Sequence, residues 1–177
     1  VFAGAGLSKS AGVINWKELV APFATALSLD VEKESDLIGL TQFYKNEKGN
    51  RSDINQRILN SFLSDESLND NIRIITRLPI STYWTTNYDE LLEECFQLRN
   101  PRVIRCSEDL SSPIKRTEMM IIKLHGCIKG NLKDIVLTQQ EYDEYLFNKT
   151  AIAQKLRDSF IQRNFLFIGY GYRDPNI

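Results

Sequence analysis

Apolar positions recur at helical spacing from Trp16 onward: Trp16, Leu19, Val20, Phe23, Ala24 and Leu27 fall on one face of a 3.6-residue repeat. Asn15, directly before that stripe, has the side chain of an N-cap. Three further amphipathic segments follow, around Leu37 to Tyr44, Ile54 to Phe62 and Ile72 to Leu78, separated by the polar runs KNEKGNRSD and SDESLNDN. So long a helical run without a strand exceeds an ordinary crossover. The pattern therefore predicts a small helical subdomain or lid, inserted over about residues 30–80 between two strands.

Outside that insertion the pattern alternates. VFAG reads as the end of a strand, and STYWTT, RVIRC, MMIIKL and IVLT are short, apolar and rich in β-branched or aromatic residues. FLFIG is apolar throughout, as in a strand buried on both faces. Between these, YDELLEECFQL, QEYDEYLF and TAIAQKLRDSFIQR return to helical spacing. The prediction is an α/β fold: a Rossmann-like parallel sheet with helices on both faces and a helical insertion, in a single domain over 1–177.

The unusual residues gather where strands should stop. Gly4, Ala5 and Gly6 follow the first strand, with Ser8 close behind; Thr86, Asn87 and Asp89 follow STYWT; His125 and Gly126 follow MMIIKL; Gly169, Tyr170 and Gly171 follow FLFI. Ligands of open α/β sheets bind beyond the carboxyl ends of the strands, so these loops are expected to form one site. Glycine carries no Cβ, which lets a pyrophosphate approach backbone N–H groups, and the Ser8 hydroxyl could add a hydrogen bond. A tight surface turn is the competing explanation for the same glycines. His125 is the only histidine. It reads either as a hydrogen-bonded residue at a strand end or as a general base able to accept a proton at neutral pH. In TNYD either Asn87 or Asp89 could cap the following helix, which leaves the other to orient a ligand amide, a ribose hydroxyl or a water. Asp174 before Pro175 reads as a helix start.

Composition narrows the partners. The chain has 177 residues, 42% hydrophobic and 25% charged, which is enough to bury a core. A formal net charge of -1 and the lack of a basic patch point away from nucleic acid and from anionic membranes. No apolar run approaches the length of a membrane span. Cys95, Cys106 and Cys127 are odd in number and lack CxxC spacing, so neither a disulfide framework nor a structural zinc is expected, and a reducing cytoplasm is. The strand-like VFAG at one end and the NFLFIGYGYRDPNI run at the other lead us to expect a domain of a longer protein.

Taken together, the motifs resemble the sirtuins. GAGLSKSAGVINW is similar to their Gly-Ala-Gly, hydrophobic, Ser, gap, Gly pattern; TTNYD resembles Thr-Gln-Asn-x-Asp; KLHG resembles the His-Gly of the catalytic histidine; and GYGY stands where sirtuins carry Gly-Thr-Ser. The nearest resemblance is to the bacterial sirtuin-like group of anti-phage defence and other NAD-cleaving proteins, with TTNYDELLE, KLHG followed by VLTQQEY, and a final GY…D.NI. The motifs keep the family's order from Gly4 to Ile177. The resemblance implies that Gly4, Ala5, Gly6 and Ser8 cradle the phosphates of NAD, and that Thr86 lies in the cofactor site. It further implies that Asn87 and Asp89 hold the nicotinamide ribose and the reacting water or amide, that His125 is the general base, and that Gly169 lies on the adenosine side. The chain departs from protein-deacetylating sirtuins in lacking their two zinc-binding CxxC pairs, in Val13–Lys17 where they carry Ile-Pro-Asp-Phe-Arg, and in Thr86 where they carry Gln. Trp16 could replace the aromatic that covers their nicotinamide pocket, although its helical stripe also suits a core.

The resemblance therefore implies NAD hydrolysis to ADP-ribose and nicotinamide, with water as the acceptor and a role as an anti-phage effector. Protein deacylation or ADP-ribosyl transfer is the alternative within enzymes, and a non-catalytic NAD or ADP-ribose sensor the alternative outside them. NAD is the expected partner, with a homo-oligomer formed through regions partly outside this chain.

Overall fold

The computed structural model describes residues 1–49, 51–62, 70–115 and 117–177. Five strands form one sheet: β1 (Phe2–Ala3), β2 (Thr82–Thr85), β3 (Arg102–Ile104), β4 (Met120–Lys123) and β5 (Phe167–Ile168), in the order β3-β4-β2-β1-β5. Every pairing is parallel. The helices are α1 (Ala5–Lys9), α2 (Trp16–Ala26), α3 (Leu37–Lys48), α4 (Ser52–Ser61), α5 (Asp70–Thr76), α6 (Leu91–Cys95), α7 (Gln139–Asp143), α8 (Tyr145–Asn148) and α9 (Thr150–Gln162). The predicted α/β class, with a parallel sheet covered on both faces, holds.

Alternation of side chains along the strands builds two cores. Ala3, Tyr83 and Ile121 point to one face, where α1, α5 and α6 supply Leu7, Ile72, Ile75 and Leu91. Phe2, Trp84 and Ile122 point to the other, against Tyr142 of α7, Tyr145 of α8, and Ile152 and Leu156 of α9. The two faces follow from handedness. The chain leaves β1 for β2 in one direction and leaves β4 for β5 in the other. Right-handed crossovers then place the intervening helices on opposite faces, with the switch point at β1 and β5.

The helical run divides differently from the sequence expectation. α2, α3 and α4 form a third cluster beyond the carboxyl edge of the sheet, built on Leu19, Phe23, Leu40, Ile54 and Ile58, with Tyr88 and Leu137 reaching up from below. α5 instead packs on the sheet, where the Tyr83 hydroxyl donates to the Ile75 carbonyl at 2.9 Å. Asn15 caps α2 as expected, accepting from the Glu18 N–H at 2.9 Å while Glu18 accepts from the Asn15 N–H at 2.8 Å. Most of the polar run SDESLNDN, and Asn50 of KNEKGNRSD, lie outside the described residues.

Two strand expectations need correction. IVLT is no strand: Ile135 and Leu137 face the third cluster and Val136 the second, so its alternation serves a loop wedged between two cores. FLFIG is not buried on both faces. β5 is the sheet edge, its residues are half-buried, and the apolar run is used in ring contacts of Phe167 with Phe2, Phe165 and Tyr170. QEYDEYLF forms two short helices, α7 and α8, rather than one.

Glu141 joins the helical layer to α7. Its carboxylate accepts from Arg51 Nε at 2.8 Å and from the N–H groups of Leu137 at 2.9 Å and Thr138 at 2.8 Å. Burial alone would push this carboxyl up; Arg51 and the two N–H groups hold it below the usual carboxylate range. A carboxyl lowered on folding stabilises the protein above its unfolded-state value, and that contribution disappears as pH falls through the folded-state value. Glu141→Gln should therefore lower the melting temperature near neutral pH, and the gap to wild type should narrow in acid. Thermal melts across that range check this; a gap that stays constant with pH would refute it.

Candidate functional site

Strand register assembles the site. Ala3 pairs with Thr85 and with Ile168, and Thr85 pairs with Lys123, so β4, β2, β1 and β5 end level. The loops that follow open into a cleft of about 730 Å³ beneath the α2–α3 layer. Ala5, Gly6, Ser8, Thr86, Asn87, Asp89, His125 and Gly169 all line it; of the residues singled out from the sequence, Gly4 and Gly126 do not.

The glycines answer to the chain itself. The Gly4 N–H donates to the Ile168 carbonyl at 2.9 Å, and the Gly6 N–H donates to the Gly169 carbonyl at 2.9 Å. A Cβ on Gly4 would lie 2.5 Å from the Gly169 carbonyl oxygen, and one on Gly6 would lie 2.9 Å from it. Gly169 has φ +63, and a Cβ there would strike the backbone of Leu7 and Gly6. Two turns at the switch point thus press backbone on backbone. The N–H groups of Gly4 and Gly6, candidates for holding phosphate on sequence grounds, are already used.

Asn87 bridges the first and second loops. Its Nδ2 donates to the Gly4 carbonyl at 3.1 Å and to Ser8 Oγ at 2.7 Å. A carbonyl can only accept, so the amide orientation is fixed, and Oδ1 is left buried without a partner among the described residues. Asp89 takes the turn-capping role, accepting from the Leu91 N–H at 3.2 Å. Lys123, fully buried at the end of β4, locks this loop from beneath: its Nζ donates to the Asp89 carbonyl and lies 3.0 Å from Glu93 Oε1. Burial opposes its charge, yet Glu93 and its neighbours raise the ammonium above its ordinary value.

His125 is buried against two ring edges, Tyr142 at 5.2 Å and Tyr145 at 5.8 Å between centroids. Its Nε2 lies 3.0 Å from Oδ2 of Asp174. The contact is close but not collinear, and Nε2 has no aligned hydrogen bond among the described residues. The His125 carbonyl accepts from the Val136 N–H at 3.1 Å, and Gly126 turns the chain at φ +87 against the Asp134 carbonyl. Asp174 makes the bonds of a cap at the turn that follows it. Its Oδ1 accepts from the Asn176 N–H at 2.9 Å, which satisfies the local turn while Oδ2 faces the imidazole.

Sequence reasoning missed Asp174, Asp36 and Arg173, which also line the cleft. Only the spacing of Asp174 from Pro175 carried a signal, and it pointed to a cap. Trp16 lines the cleft and also packs on the second and third clusters, as its helical stripe suggests. The one group of three potential metal ligands among the described residues is Glu90, Glu93 and Cys127. Lys129, Arg105 and Lys123 already pair with its carboxylates, which leaves no net negative charge to attract a dication. No helix among the described residues is long and apolar enough to cross a membrane.

A family model described as a SIR2-like domain matches residues 81–177. The whole chain is 38% identical, over 180 residues, to a protein named NAD(+) hydrolase ThsA from Bacillus cereus (strain MSX-D12), covering 38% of that protein. It is 39% identical over 179 residues to the protein of the same name from Cytobacillus dafuensis, covering 36% of it. Across 99% of the chain it is 26% identical to Defense-associated sirtuin 2 of Bacillus subtilis, covering 18% of that protein. The chain thus spans less than two fifths of the length of the curated relatives it matches.

Gly169→Ala should forfeit more than about 1 kcal/mol from the left-handed backbone alone, before the clash with Leu7 and Gly6 is counted. Denaturant unfolding should show a clear drop in midpoint; a variant as stable as wild type would show that the two turns do not touch.

Proposed function

The chain belongs to the SIR2-like family, and on that premise we propose that its cleft hydrolyses the nicotinamide–ribose bond of NAD, releasing nicotinamide and ADP-ribose. One observation carries the reading. A fixed amide, Asn87, presents a buried Oδ1 that has no partner among the described residues, and it lines the same cleft as the chain's single histidine. An oriented acceptor and a proton acceptor at one ribose are what water attack on an anomeric carbon requires. The names of the relatives support the substrate.

Bond cleavage develops oxocarbenium character at the ribose, and nicotinamide leaves with the bonding pair. Water adds to the anomeric carbon and its proton is lost, so NAD and water give ADP-ribose, nicotinamide and a proton. Asn87 Oδ1 would accept from the attacking water or a ribose hydroxyl, and His125 would receive the proton. Thr86 and Asp89 border the ribose in this reading, Ala5, Gly6 and Ser8 line the phosphate side, and Gly169 faces the adenosine. Because the Gly4 and Gly6 N–H groups are engaged, we assign the neutralisation of the pyrophosphate mainly to Arg173, an exposed cation in the cleft wall. Trp16 would screen the nicotinamide from water.

We place the activity in a NAD-depleting defence effector of the cytoplasm, assembled as a homo-oligomer and regulated through regions beyond these residues. The Defense-associated sirtuin 2 likeness and the free cysteines Cys95, Cys106 and Cys127 support that setting.

Incubation with NAD, with and without an acetylated peptide, separates the possibilities by product. Peptide-independent ADP-ribose is expected; deacylated peptide would replace hydrolysis by deacylation, and binding without cleavage would make the domain a sensor. His125→Gln, with melting retained, and Asn87→Ala, with melting lowered by the loss of its bonds to Gly4 and Ser8, should each lower the rate by a factor of about 10²–10⁴. A folded His125→Gln protein that cleaves NAD at the wild-type rate would remove the histidine from the chemistry.

A further inference from the structure

The carboxylate of Asp174 is buried, with its side chain only 8% exposed, and among the described residues His125 is its one ion-pair partner. Four phenols also lie within its electrostatic reach. Tyr88, Tyr142, Tyr145 and Tyr170 are all pushed up in pKa, first by burial and further by the charge on Asp174, so they stay neutral and add no second negative charge beside it. Seen from the imidazole, Nε2 is buried and has no other polar group within reach among the described residues. An imidazole nitrogen 3.0 Å from a carboxylate oxygen is favoured when it carries hydrogen, because a bare lone pair there would face the lone pairs of the carboxylate.

We propose that Asp174 is the positioning residue for His125: it keeps the proton on Nε2, so that Nδ1 carries the lone pair that accepts a proton in the cleft. When Nδ1 takes a proton from water or a ribose hydroxyl, the ring becomes an imidazolium and Asp174 supplies its counter-charge. The ring edges of Tyr142 and Tyr145 fix the plane in which this happens. The non-collinear contact has room to tighten when substrate fills the cleft. Because Asp174 also holds the turn at Asn176 through Oδ1, the segment after β5 and the catalytic imidazole are set by one side chain. The catalytic part of this inference rests on the NAD-hydrolase reading; the tautomer does not.

Asp174→Asn is the informative variant. It keeps an Oδ1 acceptor for the Asn176 N–H, so the turn should survive, while an amide N–H aimed at Nε2 favours the opposite tautomer. Nitrogen-15 NMR of the imidazole, assigned with His125→Gln, should show Nε2–H in the wild type and Nδ1–H in Asp174→Asn. The same variant should lose about 10²–10⁴ in kcat for NAD, with KM changed far less than kcat, because the loss falls on the proton-transfer step. A wild-type ring protonated on Nδ1, or a tautomer indifferent to Asp174→Asn, overturns the proposal. So does a loss of kcat without a change of tautomer, which would make Asp174 a substrate contact. If the wild-type protein leaves NAD intact, the functional reading fails on its own, and the tautomer measurement still decides whether Asp174 sets the ring.

Discussion

The contact between two glycine turns holds the carboxyl edge of this sheet together. Gly4 and Gly6 open α1, Gly169 closes β5, and the Gly6 N–H donates to the Gly169 carbonyl at 2.9 Å. No side chain fits between them. The contact sits at the topological switch point, where helices diverge to opposite faces and a crevice is unavoidable. Because the two turns close on each other, the first loop is fixed in space. Asn87 can then anchor on Gly4 and Ser8 rather than on a ligand.

Buried charge secures the other side of the cleft. Lys123 ends β4 entirely out of water, and its ion pair with Glu93 and bond to the Asp89 carbonyl clamp the loop after β2. An unpaired ammonium in that position would be heavily penalised, so β4 and α6 are forced into one arrangement. His125 lies two residues further along the same strand exit. Its partner is again a carboxylate, Asp174, set among phenols that burial keeps neutral. The two ends of one short segment thus each meet an acidic side chain from another element, Glu93 of α6 at one end and Asp174 after β5 at the other.

The α2–α3–α4 layer supplies what the sheet lacks. A parallel sheet leaves its carboxyl edge open to water, and this layer roofs that edge. Trp16 and Leu37 reach the cleft from this layer, and Tyr88 reaches back into it from the loop that carries Asn87. The ion pair of Arg51 with Glu141 ties the roof to the element that also presents Tyr142 to His125.

Local patterning was enough to read the alternation of strands and helices, the Asn15 cap and the gathering of Asn87, His125 and Gly169 at strand ends. Those features depend on residues a few positions apart, and period and capping chemistry report them directly. What escaped the sequence depends on partners far along the chain. IVLT alternates like a strand because two cores flank it, and FLFIG is apolar because rings stack at an edge. Gly4 and Gly6 look like a cradle for phosphate, yet their N–H groups meet a turn more than 160 residues away. Asp174 reads as a cap beside Pro175, and only the packing of β5 beside β1 carries it to His125. The sequence by itself determined which chemical groups are available and at which strand ends they stand. Tertiary structure alone decided which of their hydrogen-bonding atoms remain free, because that is settled by whichever backbone or carboxylate the fold brings within 3 Å.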